Sequence, residues 1–158
     1  MFSRLAIKAA LFTVTAMGSL AGCGSPISII DLWASTTKLG TALQQDWTLQ
    51  FTNDNKLALK LVNTSTATSG QGAGCVNTVS ISGTYTTTQT ELTVTAQSGT
   101  SVYERCQNPA ENAGPITLSA ANLAMFATDL SGPYTLTADQ LTLSPPESGF
   151  GPGVLTRN

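Results

Sequence analysis

The sequence predicts a mainly β protein, in which an antiparallel sheet or small open barrel carries one short helix. Short runs rich in Thr, Val, Leu, Ile and Tyr recur between Gly, Asn, Asp and Pro residues, as is typical of strands and turns. One stretch occurs twice, as GTYTTTQTELTVT at 83–95 and as GPYTLTADQLTLS at 132–144. A single segment, 119–132, replaces this alternation by helical spacing. The length of 158 residues fits one domain with a core of useful size.

The N-terminal segment has the features of a secretory signal peptide. Arg4 and Lys8 form a short basic start, residues 9–20 are uncharged and mostly apolar, and small residues follow them. The apolar stretch is shorter than the ~20 residues that a transmembrane helix needs. We therefore predict that residues 1–22 are a cleaved signal peptide, the alternative being a buried N-terminal helix of the fold.

The end of this segment, LAGC from Leu20 to Cys23, resembles the lipobox of bacterial lipoproteins. The resemblance implies that Cys23 carries a covalent diacylglycerol and an N-acyl lipid. Several acyl chains anchor a protein firmly, because each buried CH₂ contributes ~0.8 kcal/mol. Residues 23–30 would then form a lipidated tether, and residues 31–158 a single β-rich domain.

The residue after the lipobox and the charge of the chain bear on location and partners. Gly24 stands where inner-membrane lipoproteins often have Asp. The resemblance therefore implies an outer-membrane lipoprotein of the cell envelope, facing the periplasm or the cell surface. Cleavage before Cys23 would leave five basic and nine acidic residues, whereas nucleic-acid binding needs a basic patch. We expect the membrane as a partner, through the lipid anchor, and no nucleic acid.

The residues expected of an enzyme site are missing or poorly placed. There is no histidine, which removes His-based catalytic triads and His metal ligands. The glycine-rich segment 70–74 lacks the Lys and Ser/Thr of a phosphate loop. Glu91 and Asp139 are expected in solvated turns rather than in an acid–base pair. We predict a protein that is not an enzyme, with no catalytic or metal-binding residues and no cofactor besides the covalent lipid.

Two cysteines remain besides Cys23. In an exported protein, Cys75 and Cys106 predict a disulfide. It would close a loop of about 30 residues and stabilise the fold by ~3–4 kcal/mol in the chain-entropy description. Two free thiols or a metal site are the alternatives, although a zinc site would lack two of its usual nitrogen or sulfur ligands.

The first predicted hairpin runs from about Asp46 to Val62. The sequence WTLQF at 47–51 alternates apolar and polar residues, NDN at 53–55 is typical of a turn, and LALKL at 57–61 places three leucines on one face. The following residues, from Asn63 to Gly74, are rich in Thr, Ser and Gly and predict a mobile loop.

The repeated stretch predicts two further hairpins. Directly opposed residues of paired strands point to the same side of a sheet. We therefore expect Tyr85 opposite Val94 and Thr87 opposite Leu92, with four-residue connections. The second copy gives the corresponding pairs, which are Tyr134 with Leu143 and Leu136 with Leu141. The repeat therefore predicts scaffold rather than chemistry, with Tyr and aliphatic residues buried and Thr on the other face.

The remaining elements are a helix and a C-terminal strand. Ser119 is a candidate N-cap, Gly132 a candidate end, and Leu123, Phe126 and Leu130 lie on one helical face. This apolar face predicts packing against the sheet. A loop rich in Pro and Gly follows the second repeat, and 154–157 is a candidate last strand.

Several motifs in order resemble the META domain of HslJ-like heat-shock lipoproteins and, more loosely, bacterial lipocalin-like domains. They extend over roughly residues 45–145 and are Trp47-Thr48-Leu49, Gly74-Cys75-Val76-Asn77, Gly83-Thr84-Tyr85, Leu92-Thr93-Val94, Cys106, the helix around Leu123–Leu130, Tyr134-Thr135-Leu136 and Leu141-Thr142-Leu143. The resemblance implies a META- or lipocalin-like antiparallel sheet or small open barrel with one helix. It implies no catalytic motif.

Two functions remain open at this point. The first is a protein-interaction or envelope-integrity module, with another envelope protein as partner. The second is a carrier of a small apolar ligand inside a lipocalin-like sheet, for which the candidate lining residues are Trp33, Trp47, Tyr85 and Tyr134. A filled core would favour the first function, and a cavity lined by these aromatic residues would favour the second.

Overall fold

The computed structural model describes residues 27–144 and 151–158. The predicted signal peptide, the predicted lipidation site Cys23 and most of the predicted C-terminal loop lie outside the described residues. Within them the strands and the helix are, in chain order, β1 (Asp31–Leu39), β2 (Leu43–Phe51), β3 (Lys56–Ser65), β4 (Val76–Thr87), β5 (Glu91–Glu104), β6 (Ala113–Thr117), α1 (Ala120–Leu130), β7 (Gly132–Leu136), β8 (Gln140–Leu143) and β9 (Val154–Arg157).

Eight strands close into an antiparallel barrel, in the order β1-β2-β3-β4-β5-β7-β8-β9. The seam pairs Trp33 of β1 with Arg157 of β9. The sixth strand lies outside this circle. It pairs with the last part of β5, near Ser101, whereas β7 pairs with the beginning of β5, at Leu92. The prediction of a mainly β fold with one short helix is confirmed, and the sheet closes.

The two ends of the barrel differ. At the end where β1 begins, which we call the lower end, short turns join β2 to β3, β4 to β5 and β7 to β8. At the upper end, the turn between β1 and β2 is accompanied by two longer connections, the loop 66–75 and the segment 105–112. A three-residue 3-10 helix, Pro109–Glu111, lies within the second connection.

The hairpin registers agree with the sequence pattern. Tyr85 pairs with Val94 in the first copy of the repeat, and Tyr134 pairs with Leu143 in the second. The strands β2 and β3 form the predicted first hairpin, with Trp47 opposite Leu61. Along β2, β3 and β4, buried and more exposed positions alternate, because successive residues of a strand face opposite sides of a sheet.

The helix also agrees with its prediction. The Ser119 hydroxyl accepts a hydrogen bond from the Asn122 backbone N–H at 3.2 Å and caps the N-terminus. Helix α1 packs against β5, and Phe126 and Leu130 are buried in the same core as the strand residues. Leu123 and Ala127, on the same face, pack against that core.

The core fills the lower part of the barrel. Its strand residues are supplied by every barrel strand except β7, and they are Trp33, Trp47, Leu49, Phe51, Leu57, Leu59, Leu61, Val79, Ile81, Tyr85, Leu92, Val94, Leu141, Leu143 and Leu155. An eight-stranded barrel has an interior just wide enough for side chains to fill or for one small ligand. Here the lower part follows the first pattern.

Two elements differ from the prediction. Asn63, Thr64 and Ser65 belong to β3 rather than to a loop, because they continue the ladder opposite β2 and β4. The strand β6 has no clear signal in the sequence, since its five residues AGPIT include Gly and Pro. It forms at the edge beside β5, where a strand does not need a partner on its second side. Within residues 27–144 and 151–158, no helix has the length and apolarity needed to cross a membrane.

Candidate functional site

An open cleft lies at the upper end of the barrel. Its volume is about 680 Å³, within the range of small-ligand sites. The barrel strands contribute the ends of β2, β3, β4 and β5 to its lining, and β6, the loop 66–75 and the 3-10 helix complete it. The lining residues are Leu43, Asn63, Ser65, Gln71, Gly72, Cys75, Asn77, Tyr103, Glu111, Ala113 and Ile116.

A chain of side-chain hydrogen bonds crosses four strands at the floor of the cleft. Gln45 Nε2 donates to Asn63 Oδ1 at 2.8 Å, and Asn63 Nδ2 donates to Asn77 Oδ1 at 3.4 Å. Asn77 Nδ2 then donates to Ser101 Oγ at 2.8 Å. We call these four residues, which lie on β2, β3, β4 and β5, the amide chain.

The strand register places the amide chain directly above the apolar core. Gln45 is paired with Asn63, and Asn63 with Asn77. Two residues further along each strand, the inward positions are Trp47, Leu61 and Val79, all buried. Gln45 and Ser101 are themselves buried, at 3% and 8% exposure. Buried polar groups cost free energy unless they are hydrogen-bonded, and the amide chain supplies such bonds.

One wall of the cleft is the glycine-rich loop 66–75, and three links join this loop to the segment after β5. The disulfide between Cys75 and Cys106, with an S–S distance of 2.06 Å, confirms the predicted pairing. The Gly72 backbone N–H donates to Glu111 Oε2 at 2.8 Å. The Gln107 backbone N–H donates to the Ala73 carbonyl at 2.9 Å. The loop is thereby attached to the segment after β5.

The carboxylate of Glu111 belongs to this attachment. Its oxygen lies within 4.8 Å of the sulfur atoms of Cys75 and Cys106. Metal binding requires thiolates, and both sulfur atoms are bonded to each other. In the disulfide form, Glu111 therefore acts as a hydrogen-bond acceptor for the loop.

Apolar side chains form the rim. Tyr103 near the end of β5 is 40% exposed, and Ile116 of β6 is 50% exposed. Leu39, at the end of β1, is also exposed at this end of the barrel. The cleft therefore combines a polar floor with an apolar rim, which is the usual composition of a site that binds a small organic molecule.

Three of the aromatic residues predicted to line a ligand site lie in the core. Trp33 is fully buried, donates from Nε1 to the Ile29 carbonyl at 2.8 Å, and carries the Arg157 guanidinium 4.9 Å from its ring centroid. Trp47 and Tyr85 are buried in the same core. None of the three belongs to the lining of the cleft.

Tyr85 and Tyr134 lie at the lower end. The Tyr85 hydroxyl donates to the Thr52 carbonyl at 2.8 Å, and its ring contacts Phe51 edge-on at 4.9 Å between centroids. Burial, with a further contribution from the charge of Asp54, raises the pKa of the Tyr85 hydroxyl. Tyr134 is half-buried and borders a shallow groove together with Ile27.

The described lining residues of the cleft offer hydrogen bonding and apolar contact. Among the described lining residues Glu111 is the only charged one, and it accepts from Gly72. The amides of Asn63 and Asn77 can donate and accept but do not titrate.

The amide chain was not identified from the sequence, although a signal for it exists. The inward-facing row of β3 is Leu57, Leu59, Leu61 and then Asn63, and the rows of β2 and β4 change from apolar to amide at the same level.

Comparison of the chain with protein-family models, with curated proteins and with solved structures gives no match.

Proposed function

We propose that this chain is a lipid-anchored, non-enzymatic protein of the cell envelope that binds a small ligand with polar and apolar surfaces in the cleft. The observation that carries the proposal is that Asn63 and Asn77, two members of the amide chain, line the floor of an open cleft. The core of the barrel is filled by Trp33, Trp47 and Tyr85, among others, so the ligand would bind in the cleft above the core and not among these aromatic residues. A lipocalin-like barrel is compatible with ligand carrying.

The place where the described chain begins is compatible with a lipid anchor at the end away from the cleft. Residues 27–30 enter β1 at the lower end of the barrel, whereas the cleft is at the upper end. An anchor on Cys23 would therefore leave the cleft free. The LAGC sequence and the apolar stretch before it remain the basis of the predicted lipidation.

Native mass spectrometry of the full chain, purified from membranes in detergent, tests the ligand. We expect a reproducible added mass that dissociates on denaturation. An Ala113→Trp variant, which fills the cleft from its half-buried wall, should lose that mass, whereas Thr86→Trp, at an exposed site on β4, should keep it. A bare mass for the unaltered chain, or equal loss in both variants, would count against the proposal.

Fractionation tests the anchor. Expressed in a bacterial host, the chain should remain with the membranes, and its Cys23→Ser variant should not. Mass spectrometry of the N-terminal peptide should find acyl chains on Cys23 and cleavage before it. An unmodified Cys23, or an intact residue 1–22 segment, would contradict the predicted lipidation.

A second candidate function is binding to another envelope protein. It is favoured by the exposed apolar side chains of Leu39, Tyr103 and Ile116 at the upper end, since such residues are enriched where proteins associate. Crosslinking in the envelope from a photoreactive residue at position 116 tests it. A discrete crosslinked partner that competes with the small ligand would favour this second function.

A further inference from the structure

We propose that the ligand of the cleft is a neutral saccharide, recognised by the amides of Asn63 and Asn77 and by the ring of Tyr103. This inference rests on the proposed function and names the class of ligand that the same site takes.

The two asparagines that line the cleft have hydrogen-bonding capacity left for a ligand. A carboxamide offers two N–H donors and two acceptor lone pairs. Within the amide chain, Asn63 and Asn77 each use one N–H and accept one hydrogen bond. Among the described residues, each therefore has one further donor and one further acceptor, and both residues line the cleft. A hydroxyl group also donates and accepts, so one sugar hydroxyl can engage both functions of one amide.

The distance between the two asparagine side chains restricts the ligands that can use both. Asn63 and Asn77 are directly opposed on the neighbouring strands β3 and β4. Neighbouring strands lie about 4.8 Å apart, and the hydrogen bond between the two side chains keeps their relative position fixed. A ligand that uses both amides must therefore carry hydroxyl groups about one strand spacing apart. Equatorial hydroxyls on alternate carbon atoms of a pyranose ring meet this condition.

The charge of the cleft lining favours a neutral ligand. The described lining of the cleft contains no Lys or Arg, and its one charged group is the Glu111 carboxylate. An anionic ligand would bring a second negative charge toward Glu111 without a cation to pair with, and unpaired charges in a partly desolvated site are unfavourable. Fatty acids and acidic sugars are disfavoured for this reason. A neutral ligand has no such cost.

The apolar rim of the cleft suits one side of a sugar ring. The exposed ring of Tyr103 and the exposed side chain of Ile116 stand beside the floor. An aromatic ring presents a flat apolar surface with a negative face, which suits the slightly positive C–H groups on one side of a pyranose ring. The remaining side of the sugar, with its hydroxyls, can then face the amides of the floor.

Nuclear magnetic resonance on the ¹⁵N-labelled full chain, in a sugar-free detergent, tests the inference. The side-chain amide signals of Asn63 and Asn77 report directly on the floor of the cleft. The probes are neutral mono- to trisaccharides of glucose, galactose, mannose and N-acetylglucosamine, with laurate as an apolar anionic probe. We expect at least one neutral saccharide, and not laurate, to shift both asparagine signals in a saturable manner.

Variants then separate recognition from folding. Tyr103→Ala should weaken saccharide binding about tenfold, the equivalent of one lost contact of ordinary strength, while Tyr103→Phe should stay close to the unaltered chain. Asn77→Ala should weaken binding at least as much, whereas Asn122→Ala, at an exposed position of α1, should not change it. Equal weakening by Tyr103→Phe and Tyr103→Ala would overturn the stacking role.

The outcomes distinguish this inference from the proposed function. If laurate alone shifts the asparagine signals, the cleft binds a small ligand and the saccharide inference is wrong. If no probe shifts them and the purified chain carries no added mass, both the inference and the proposed function are wrong. A saccharide that shifts signals at the lower end, near Tyr134, instead of those of Asn63 and Asn77 would also overturn the inference.

Discussion

Two glycines at equivalent positions of the repeated stretch have different structural roles. Gly83 faces β5 where the register shifts, and a Cβ placed on it would lie 2.2 Å from the Thr95 carbonyl oxygen. Gly132 has open space around it but a φ of +136°, which residues with a side chain rarely adopt. Glycine is therefore required at position 83 for the close approach of two strands and at position 132 for its backbone conformation.

Gly83→Ala should destabilise the fold by about 1–3 kcal/mol, because the new methyl group forces the bulged strands apart. The matched control is Gly114→Ala, in β6, where a Cβ would meet nothing within 4 Å. That change should stay within about 0.5 kcal/mol. Urea unfolding of both variants measures the difference, and similar free energies of unfolding for the two would contradict the close approach at Gly83.

Tyr85 gives a prediction about alkaline pH. Its raised pKa means that the fold favours the neutral hydroxyl, so the stabilisation is complete below the ordinary value of 10.0 and is lost as pH rises through the higher value. Absorbance of ionised tyrosine should therefore contain a component that appears above pH 10 in the folded chain. Tyr85→Phe should remove that component, and unfolding should return it to the ordinary range. Its presence in Tyr85→Phe would contradict the assignment.

The cleft is harder to predict from single residues than the core. Trp33, Trp47 and Tyr85 are large and aromatic, which makes them reasonable ligand-lining candidates and equally good core residues. The register decides between these roles, because it sets the level in the barrel at which each side chain lies. Asn63 and Asn77, in contrast, read as turn or loop residues in isolation, and only their alignment across strands gives them a common floor.

At the scale of elements, the disulfide is the main constraint on the upper end. It joins the loop before β4 to the end of β5 across a separation of 31 residues. The hydrogen bonds of Gly72 and Gln107 lie on the same two segments. These three links hold in place a glycine-rich wall that packs little apolar surface of its own.

Replacing Cys75 and Cys106 together by Ser should lower the free energy of unfolding by about 3–4 kcal/mol, from the entropy of the opened loop. Denaturant unfolding measures the loss. A reducing agent should produce a similar loss in the unaltered chain and none in the double variant. An effect of the reducing agent on the double variant would show that it acts elsewhere.

The hairpins and the helix could be predicted because their information is local. Tyr85 with Val94 and Tyr134 with Leu143 are separated by short turns, and Ser119 caps α1 within one helical turn. The edge strand β6 and the full length of β5 depend on partners that are distant or weakly patterned. Propensity within a segment carries little information about such pairings.

At the scale of the whole molecule, the barrel is sealed by its first and last strands. Leu155 of β9 is fully buried in the core, and its strand pairs with both β1 and β8. The next residue before it, Val154, is half exposed. Two side chains of this four-residue strand therefore hold the seam, Leu155 in the core and Arg157 on the ring of Trp33.

Leu155→Ala should cost about 2–5 kcal/mol, the usual range for a buried leucine, and should weaken the seam. The control is Val154→Ala, in the same strand, which should change the free energy of unfolding by about 0.5 kcal/mol or less. Urea unfolding followed by near-ultraviolet circular dichroism reports on the packing of Trp33, which lies beside the seam. Equal effects of the two substitutions would contradict closure through Leu155.

The seam also has a consequence in time. A chain that leaves the ribosome, or is threaded through an export channel, delivers β1 first and β9 last. Because Trp33 pairs with Arg157 of β9, the barrel cannot close before β9 has been delivered. Until then the inward rows of β2 and β3 stay open to solvent or to a chaperone. The topology thus leaves the barrel open until its ninth strand is available to pair with the first and the eighth.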